Sequence, residues 1–322
     1  MKSKTYLKIF FIIIAIIGSI AIIYTNYFAR HYPLPLTSRI SFDAKIKFIR
    51  DKIDPDKIDT LIVGSSLGLN NIQGTVLEES SSVMKNVLNL SVYGARATQV
   101  EQILELSDAF PNLKRIIYSA QYSDFAHARY YDKTNYEAEL IIKYIRNELN
   151  PIKSWKIMFN ACKDIFFCMK RQMDWEVKHT YNNKFEYLGF DSTGSVPLHI
   201  YGDDIIGHRW RGPQPNIQNP KSFSAVDRMS SRAAQKGIKY YLIQQPYRGP
   251  LAKENEFVQA ALNWFAKKNI QVLKKNGGYF VSLHEKLNLG DKYFADRTHL
   301  NDQGSELVAR EIAKIIDLNE GK

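Results

Sequence analysis

The chain has 322 residues, a formal net charge of +11 and 45% hydrophobic residues. This length and composition are typical of one large globular domain. The absence of heptads, repeats and biased tracts excludes fibrous and repeat proteins. Cys162 and Cys168 are the only cysteines, which excludes a disulfide framework and a four-cysteine zinc site.

An uncharged apolar run, residues 9–24, opens the chain and reaches the ~20 residues of a membrane span when it is extended to Phe28. We expect an uncleaved anchor and not a signal peptide, because the run is long and no small-x-small cleavage site follows. Lys2, Lys4 and Lys8 favour a cytoplasmic N-terminus. The remainder is then expected outside the inner or plasma membrane, in a single-pass protein.

Three segments follow from this pattern. Residues 1–29 are the cytoplasmic tail and anchor, and residues 30–58 are a membrane-proximal neck with a helix predicted over Phe42–Ile53. Residues 59–318 form the catalytic domain.

Short apolar runs alternate with helical patterns from Asp59 onward. The predicted strands are Leu61–Val63, Val87–Leu90, Arg115–Ala120, Lys239–Gln244 and Tyr279–Leu283. The predicted helices are Thr98–Phe110 with Thr98 as N-cap, Asn255–Lys275 and Asp302–Leu318 with Asn301 or Asp302 as cap. Such alternation predicts an α/β fold with a parallel, doubly wound sheet.

Residues 122–222 interrupt this alternation as an insertion. Helical patterns cover Tyr136–Leu149 and Trp155–Met169, and residues 180–220 have loop composition. We expect the insertion to lie over the sheet edge that carries the site. Cys162 and Cys168 are six residues apart, so a continuous helix would point them in different directions. In a helix we expect both to be buried apolar residues. If the segment is not helical, the two can form a disulfide.

The sequence Gly64-Ser65-Ser66 follows the first predicted strand. Gly64 permits a tight turn, and Asn70 to Gly74 lead into a predicted helix. Strand, turn and helix present a reactive group at the carboxyl end of a strand in open α/β sheets. Alone, this triplet would be a polar turn.

Asp296 and His299 lie just before the last predicted helix. At this spacing the carboxylate can hold one imidazole nitrogen while the other faces a serine. Alone, the pair would be a helix-cap cluster. Its placement with Ser66, at the last helix and the first strand, favours catalysis with Ser66 as nucleophile and His299 as base.

Together these blocks resemble the SGNH (GDSL-like) hydrolase superfamily over residues 59–120 and 238–318. Gly64-Ser65-Ser66 matches the first block with Ser65 in place of Asp, and Asp296-x-x-His299 matches the last block completely. The resemblance implies a flavodoxin-like sheet and a triad of Ser66, His299 and Asp296.

An oxyanion hole is the next requirement. The backbone N–H of Ser66 is one predicted donor. Gly94 resembles the glycine of the second block, although a plain turn glycine explains it equally well. The third-block Asn is missing, and Gln121 is the candidate that replaces it.

A membrane anchor before such a core looks like the branch that works beside membrane-bound O-acyltransferases, as in alginate O-acetylation and teichoic acid D-alanylation. The resemblance implies acyl transfer to an exported envelope polysaccharide, with such a membrane-bound partner and without metal or organic cofactor. Two alternatives remain: an esterase that deacylates a glycan, and a non-catalytic scaffold or glycan-binding protein with the same fold.

Arg209, Trp210 and Arg211 form an aromatic and basic stretch inside the insertion. It is either a glycan-binding lip or a surface loop with one packed Trp. Four net positive charges lie in the first thirty residues, which leaves +7 for the rest. That charge suits an anionic glycan, a lipid surface or ordinary solvation, and nucleic acid ranks lowest because no binding module is recognisable.

Overall fold

The computed structural model describes residues 3–37, 39–125, 137–180, 189–201, 219–248 and 256–321. Its strands are β1 Thr60–Gly64, β2 Val87–Asn89, β3 Arg115–Ala120, β4 Lys239–Gln244 and β5 Tyr279–Ser282. Its helices are α1 Ser3–His31, α2 Ile40–Lys52, α3 Ser66–Asn71, α4 Gly74–Ser80, α5 Ala97–Leu104, α6 Ala138–Ile145, α7 Pro151–Cys162, α8 Ile165–Thr180, α9 Pro220–Gln235, α10 Glu256–Lys274, α11 Leu283–Leu287 and α12 Asp302–Asn319.

The five strands form one parallel sheet in the order β2-β1-β3-β4-β5. This is the strand order of flavodoxin-like folds, in which the switch point lies between β1 and β3. The predicted fold class and all five predicted strands are confirmed. The expected site edge is the one where β1 ends, because ligands bind outside the carboxyl ends of such strands.

Both faces of the sheet are covered. Leu61 and Val63 of β1 belong to one apolar cluster, with α5, α9 and α10, and Ile62 belongs to the other, with α4 and α12. Successive side chains of a strand point to opposite faces, so a continuous apolar run fits a strand buried on both sides. Each such side chain contributes about 1.5–3 kcal/mol relative to an exposed one.

Helix α1 is long and apolar enough to span a membrane over Thr5–Phe28, with a mean hydropathy of 2.6. Its apolar side chains are exposed up to Tyr27, whereas Thr25 and Phe28 are buried by the rest of the chain. The helix predicted within residues 30–58 is present, since α2 covers nearly the expected range.

The prediction of one helix over Trp155–Met169 is wrong. Helix α7 ends at Cys162, and the Asp164 carboxylate accepts the backbone N–H of Phe167 at 3.1 Å in the first turn of α8. A side-chain oxygen in that place starts a new helix. Because the chain turns here, Cys162 and Cys168 form a disulfide. The disulfide, which the sequence left as an alternative, is therefore the arrangement observed.

The helix after β2 also begins elsewhere. Its N-cap is Arg96 and not Thr98, and the Gln99 side chain accepts the backbone N–H of Arg96 at 2.9 Å. The α-helix ends at Leu104 and continues as a 3₁₀-helix over Glu105–Ala109. Over so short a stretch, an α-helix and a 3₁₀-helix have nearly the same apolar periodicity, so the sequence did not reveal the change from one to the other.

Candidate active site

The end of β1 leads directly into α3. All five residues of β1 are buried, and a Cβ on Gly64 would lie 2.5 Å from the carbonyl oxygen of Ser119 on β3. Only glycine permits this approach of the two strands. The Ser65 hydroxyl accepts the backbone N–H of Leu67 at 3.2 Å and caps α3, whose first residue is Ser66. The helix therefore begins at the serine itself, earlier than the expected start after Asn70.

The three predicted triad residues are hydrogen-bonded in series. Nε2 of His299 lies 2.7 Å from Oγ of Ser66, and Nδ1 of His299 lies 2.6 Å from Oδ2 of Asp296. The side chains of His299 and Asp296 are each 20% exposed. This is the arrangement in which an imidazole accepts a proton from a serine hydroxyl while a carboxylate holds its other nitrogen.

Asp296 is held in its ionised form by its neighbours. Its Oδ1 accepts the backbone N–H groups of Thr298 and His299 at 2.8 and 2.7 Å. Burial alone raises the pKa of Asp296, but the hydrogen bond and charge of His299 and these two N–H groups outweigh it and keep the pKa below its ordinary value. An ionised carboxylate can stabilise the imidazolium that forms when Ser66 is deprotonated.

Asn71, the last residue of α3, fixes the loop that carries His299. Its Nδ2 donates to the carbonyl of Thr298 and its Oδ1 accepts the N–H of Leu300, both at 2.9 Å. The helix that carries Ser66 and the loop that carries His299 are thus joined through one buried side chain. Sequence reasoning did not identify this role, because the sequence shows an Asn five residues after the serine but neither its burial nor its partners.

Residues 189–201, part of the predicted insertion, run along the carboxyl edge of the sheet. Val196 donates its N–H to Leu69 at 2.9 Å and accepts from the Asn70 side chain at 2.8 Å. Farther on, the carbonyl of Leu198 accepts the N–H of Asp302 at 2.8 Å. This segment therefore binds both the helix that starts at Ser66 and the helix that follows His299.

A second carboxylate lies behind the first block. Asp124, on the 3₁₀-helix after β3, is buried, accepts the N–H of Gln121 at 2.9 Å and is hydrogen-bonded by the Ser65 hydroxyl. Burial raises its pKa, and the Gln121 N–H, the Arg96 charge and the Ser65 hydrogen bond oppose that rise. Ser65 thus has two structural partners, Leu67 and Asp124, whereas the Nε2 of His299 contacts Ser66.

The three predicted oxyanion donors differ in burial and in hydrogen-bond partners. Ser66, the first residue of α3, has a backbone N–H without a helical acceptor. Gly94 is exposed with φ of 68°, and a Cβ there would meet nothing within 4 Å, so its turn conformation alone explains glycine. The Gln121 amide donates to the carbonyl of Gln245 at 2.6 Å and is buried. The oxyanion roles of Gly94 and Gln121 remain predictions.

Arg209, Trp210 and Arg211 lie outside the described residues. Within the described ranges, no group of three or more His, Cys, Asp or Glu side chains is arranged to hold a metal ion.

Comparison with known proteins finds solved structures of similar shape, of which two are described here. A Bacteroides fragilis protein described as a "putative acylhydrolase" matches with 11% identity and a TM-score of 0.44, covering 85% of this chain and 95% of its own. LAE5, an alpha/beta hydrolase from the metagenome of Lake Arreo, Spain, matches with 10% identity and a TM-score of 0.41, covering 82% and 96%. No family model and no curated protein matches. Similarity at this level carries no argument about the reaction.

Proposed function

We propose that this chain is a membrane-anchored serine O-acyltransferase of SGNH type, which modifies an exported envelope polysaccharide through an acyl-serine intermediate. The observation that carries the proposal is the 2.7 Å contact between Nε2 of His299 and Oγ of Ser66, backed by Asp296. A serine hydroxyl attacks an acyl carbon only when a base takes its proton, and this contact supplies the base.

In the first half of the reaction, Oγ of Ser66 attacks the carbonyl carbon of a donor ester and His299 takes the hydroxyl proton. The negative charge on the carbonyl oxygen is met by the N–H of Ser66 and by a second donor, for which Gly94 and Gln121 are the candidates. The intermediate then expels the donor alcohol, which receives the proton from His299, and leaves an acyl ester on Ser66.

In the second half, His299 removes a proton from a sugar hydroxyl, and that oxygen attacks the acyl-serine. The ester passes to the sugar and the proton returns to Ser66. Hydrolysis differs only in that water replaces the sugar, so an esterase is the second candidate. Transfer requires an acceptor held in line, because positioning raises its effective concentration above that of water.

An exposed arginine beside the triad supports an anionic acceptor. Arg297 lies between Asp296 and Thr298 and is exposed, and the chain outside the N-terminal thirty residues carries +7. Guanidinium groups bind carboxylates in a bidentate manner, so Arg297 can hold an acidic sugar at the mouth of the site. The stretch Arg209 to Arg211 is proposed as a second contact.

The test uses the full chain in detergent with a fluorophosphonate label and a short aryl ester. We expect Ser66→Ala to abolish labelling, and Ser66→Ala and His299→Ala each to lower ester turnover ~10⁴-fold or more. Ser65→Ala is the matched control and should retain the label. A wild-type chain that is not labelled would favour the non-catalytic scaffold.

A second experiment separates transfer from hydrolysis. Acidic envelope oligosaccharides are added with the acyl donor, and acylated sugar is measured by mass spectrometry. Arg297→Gln and Trp210→Ala should lower the acylated product more than they lower aryl-ester turnover. Rapid deacylation of an acylated glycan, with no acylated product at any acceptor concentration, would select the esterase.

A further inference from the structure

The hairpin formed by α7 and α8 carries an apolar surface that the described part of the chain leaves uncovered. Phe166 is 82% exposed and Ile152 is 73% exposed. The exposed apolar side chains of this surface, here called the outer face, are Ile152, Phe159, Ile165, Phe166, Met169 and Met173. Contiguous apolar surface of this kind marks an interaction site in soluble domains.

The outer face is a consequence of how the hairpin packs. On α8, Phe166, Met169 and Met173 recur at three- and four-residue spacing and therefore share one side of the helix. Cys168 and Arg171 are buried on another side. Helix α8 thus has a packed side and an apolar side that faces away from the domain.

Three contacts hold the hairpin beside the end of α1. Helix α7 packs against α1, and the Tyr32 hydroxyl, just beyond α1, donates to Glu176 of α8 at 2.7 Å. Arg171 of α8 and Asp43 of α2 form a buried ion pair at 2.6 Å. The disulfide of Cys162 and Cys168 closes the turn between the two helices. The position of the outer face relative to α1 is therefore fixed.

The length of α1 determines where the hairpin lies relative to the bilayer surface. Its apolar stretch of 24 residues is about 36 Å long at 1.5 Å per residue, against a hydrocarbon core of about 30 Å. The excess is about one helical turn, and Thr25 and Phe28 in that last turn are already buried by the domain. Elements that pack against this turn lie at the level of the lipid headgroups.

We propose that the α7–α8 hairpin is an in-plane membrane-binding element, whose outer face enters the headgroup layer of the leaflet from which α1 emerges. The occupant of the outer face is the lipid bilayer itself, because the hairpin that carries this face packs against the end of the proposed span of α1. Lys153, Lys156, Lys163 and Lys170 are exposed on the same hairpin, and such flanking lysines favour anionic lipids. The inference rests on α1 spanning the bilayer and not on the proposed chemistry.

The test places a photoreactive p-benzoylphenylalanine at Phe166 of the full chain in nanodiscs of phosphatidylglycerol and phosphatidylcholine. The matched control has the same residue at Leu318 on α12, which is 66% exposed. After illumination, lipid adducts are measured by mass spectrometry. We expect about tenfold or more adduct at 166 than at 318, as for a side chain at the acyl-chain boundary against one in water.

A second variant tests the face as a whole. Phe166→Asp combined with Met169→Asp should lower lipid adducts formed from p-benzoylphenylalanine at position 159, while Leu318→Asp should not. Intact disulfide and unchanged thermal unfolding verify the fold of each variant. Equal adducts at 166 and 318, or cross-links from 166 to a second copy of the chain, would overturn the proposal. None of these measurements depends on ester turnover, so failure here is distinct from failure of the acyltransferase.

Discussion

Asn71 Oδ1 accepts a 2.9 Å hydrogen bond from the backbone N–H of Leu300, the residue that follows His299. Asn71 belongs to the same six-residue helix as Ser66, and its Nδ2 also binds the carbonyl of Thr298. Asn71 therefore ties the helix that carries Ser66 directly to the loop that carries His299. Neither contact involves a substrate, so Asn71 acts as a positioning residue.

Asn71→Ala should lower kcat for the aryl ester ~10²-fold with little change in KM, because a small displacement of His299 weakens proton transfer. It also leaves two backbone groups without partners, at a cost of about 1–3 kcal/mol each when they stay buried. Asn269→Ala is the control, since this buried amide binds only the Phe265 carbonyl on its own helix in the described contacts. Loss of stability without loss of kcat in Asn71→Ala would remove the positioning role.

Gly64→Ala should destabilise the protein by about 1–3 kcal/mol, as overpacking of backbone commonly does. The added Cβ would lie 2.5 Å from the Ser119 carbonyl oxygen, and a backbone atom cannot rotate away. The turn to Ser66 must shift, so fluorophosphonate labelling should slow as well. Gly290→Ala is the control, because a Cβ there meets nothing within 4 Å. Equal unfolding midpoints for the two variants would contradict this reading of the β1–β3 contact.

Ser65→Asp should be worse than Ser65→Ala, although Asp is the residue that the SGNH pattern has at this position. Asp can still cap the helix, and loss of the cap in Ser65→Ala should cost only about 1 kcal/mol. The Asp variant additionally places a carboxylate beside buried Asp124, and two neighbouring carboxylates resist ionising together. Ser65→Asp combined with Asp124→Asn should recover stability, which a double-mutant cycle of unfolding measures. Additive effects in that cycle would exclude the coupling.

Lys45→Met should remove part of the pH dependence of stability. Lys45 is buried, donates to the carbonyls of Asn89 and Gly194, and has its pKa lowered by burial to about 7 from 10.5, against the opposing charge of Asp191. As pH falls from 10.5 to about 7, the unfolded chain binds a proton at Lys45 that the native state does not. The contribution of Lys45 to the free energy of unfolding therefore decreases over that window. Below about pH 7 both states hold the proton and the loss is complete.

Denaturant unfolding of the full chain in detergent, across this alkaline window, compares wild type with Lys45→Met. The wild type should lose stability relative to the variant as pH falls, by a few kcal/mol at most, because one pKa unit corresponds to about 1.4 kcal/mol. Lys45→Arg, which stays charged throughout, should not show the same change. A pH-independent difference between wild type and Lys45→Met would mean that Lys45 titrates normally.

The sequence predicted the sheet well because its strands are buried on both faces. Runs such as Leu61–Val63 and Arg115–Ala120 need only local composition to be recognised, and the cap at Asn301, which binds the N–H of Gly304, follows a local rule. The helix starts at Ala97 and Ile165 were missed, because each depends on which of several nearby polar residues turns its side chain to the backbone.

The sequence predicted which residues would meet at the candidate site, and it did not predict the contacts that hold them there; their catalytic role stays a prediction. Ser66, Asp296 and His299 could be picked out by type and spacing. The bonds from Asn71 to Thr298, and from residues 189–201 to α3 and α12, join segments that are far apart in the sequence. Such contacts leave no periodic pattern, since each uses ordinary polar groups of a loop or a short helix.

The sequence separation of 233 positions from Ser66 to His299 has a consequence for how the protein matures. Contacts between distant parts of a chain form late, because loop closure must precede them, and synthesis delivers the serine long before its base. Until then, a nascent chain carries Ser66 without the imidazole that contacts it in the folded protein. The Ser66–His299 contact can form only when β5 and α12 have docked, so a serine that depended on this contact for its reactivity would stay inert during synthesis.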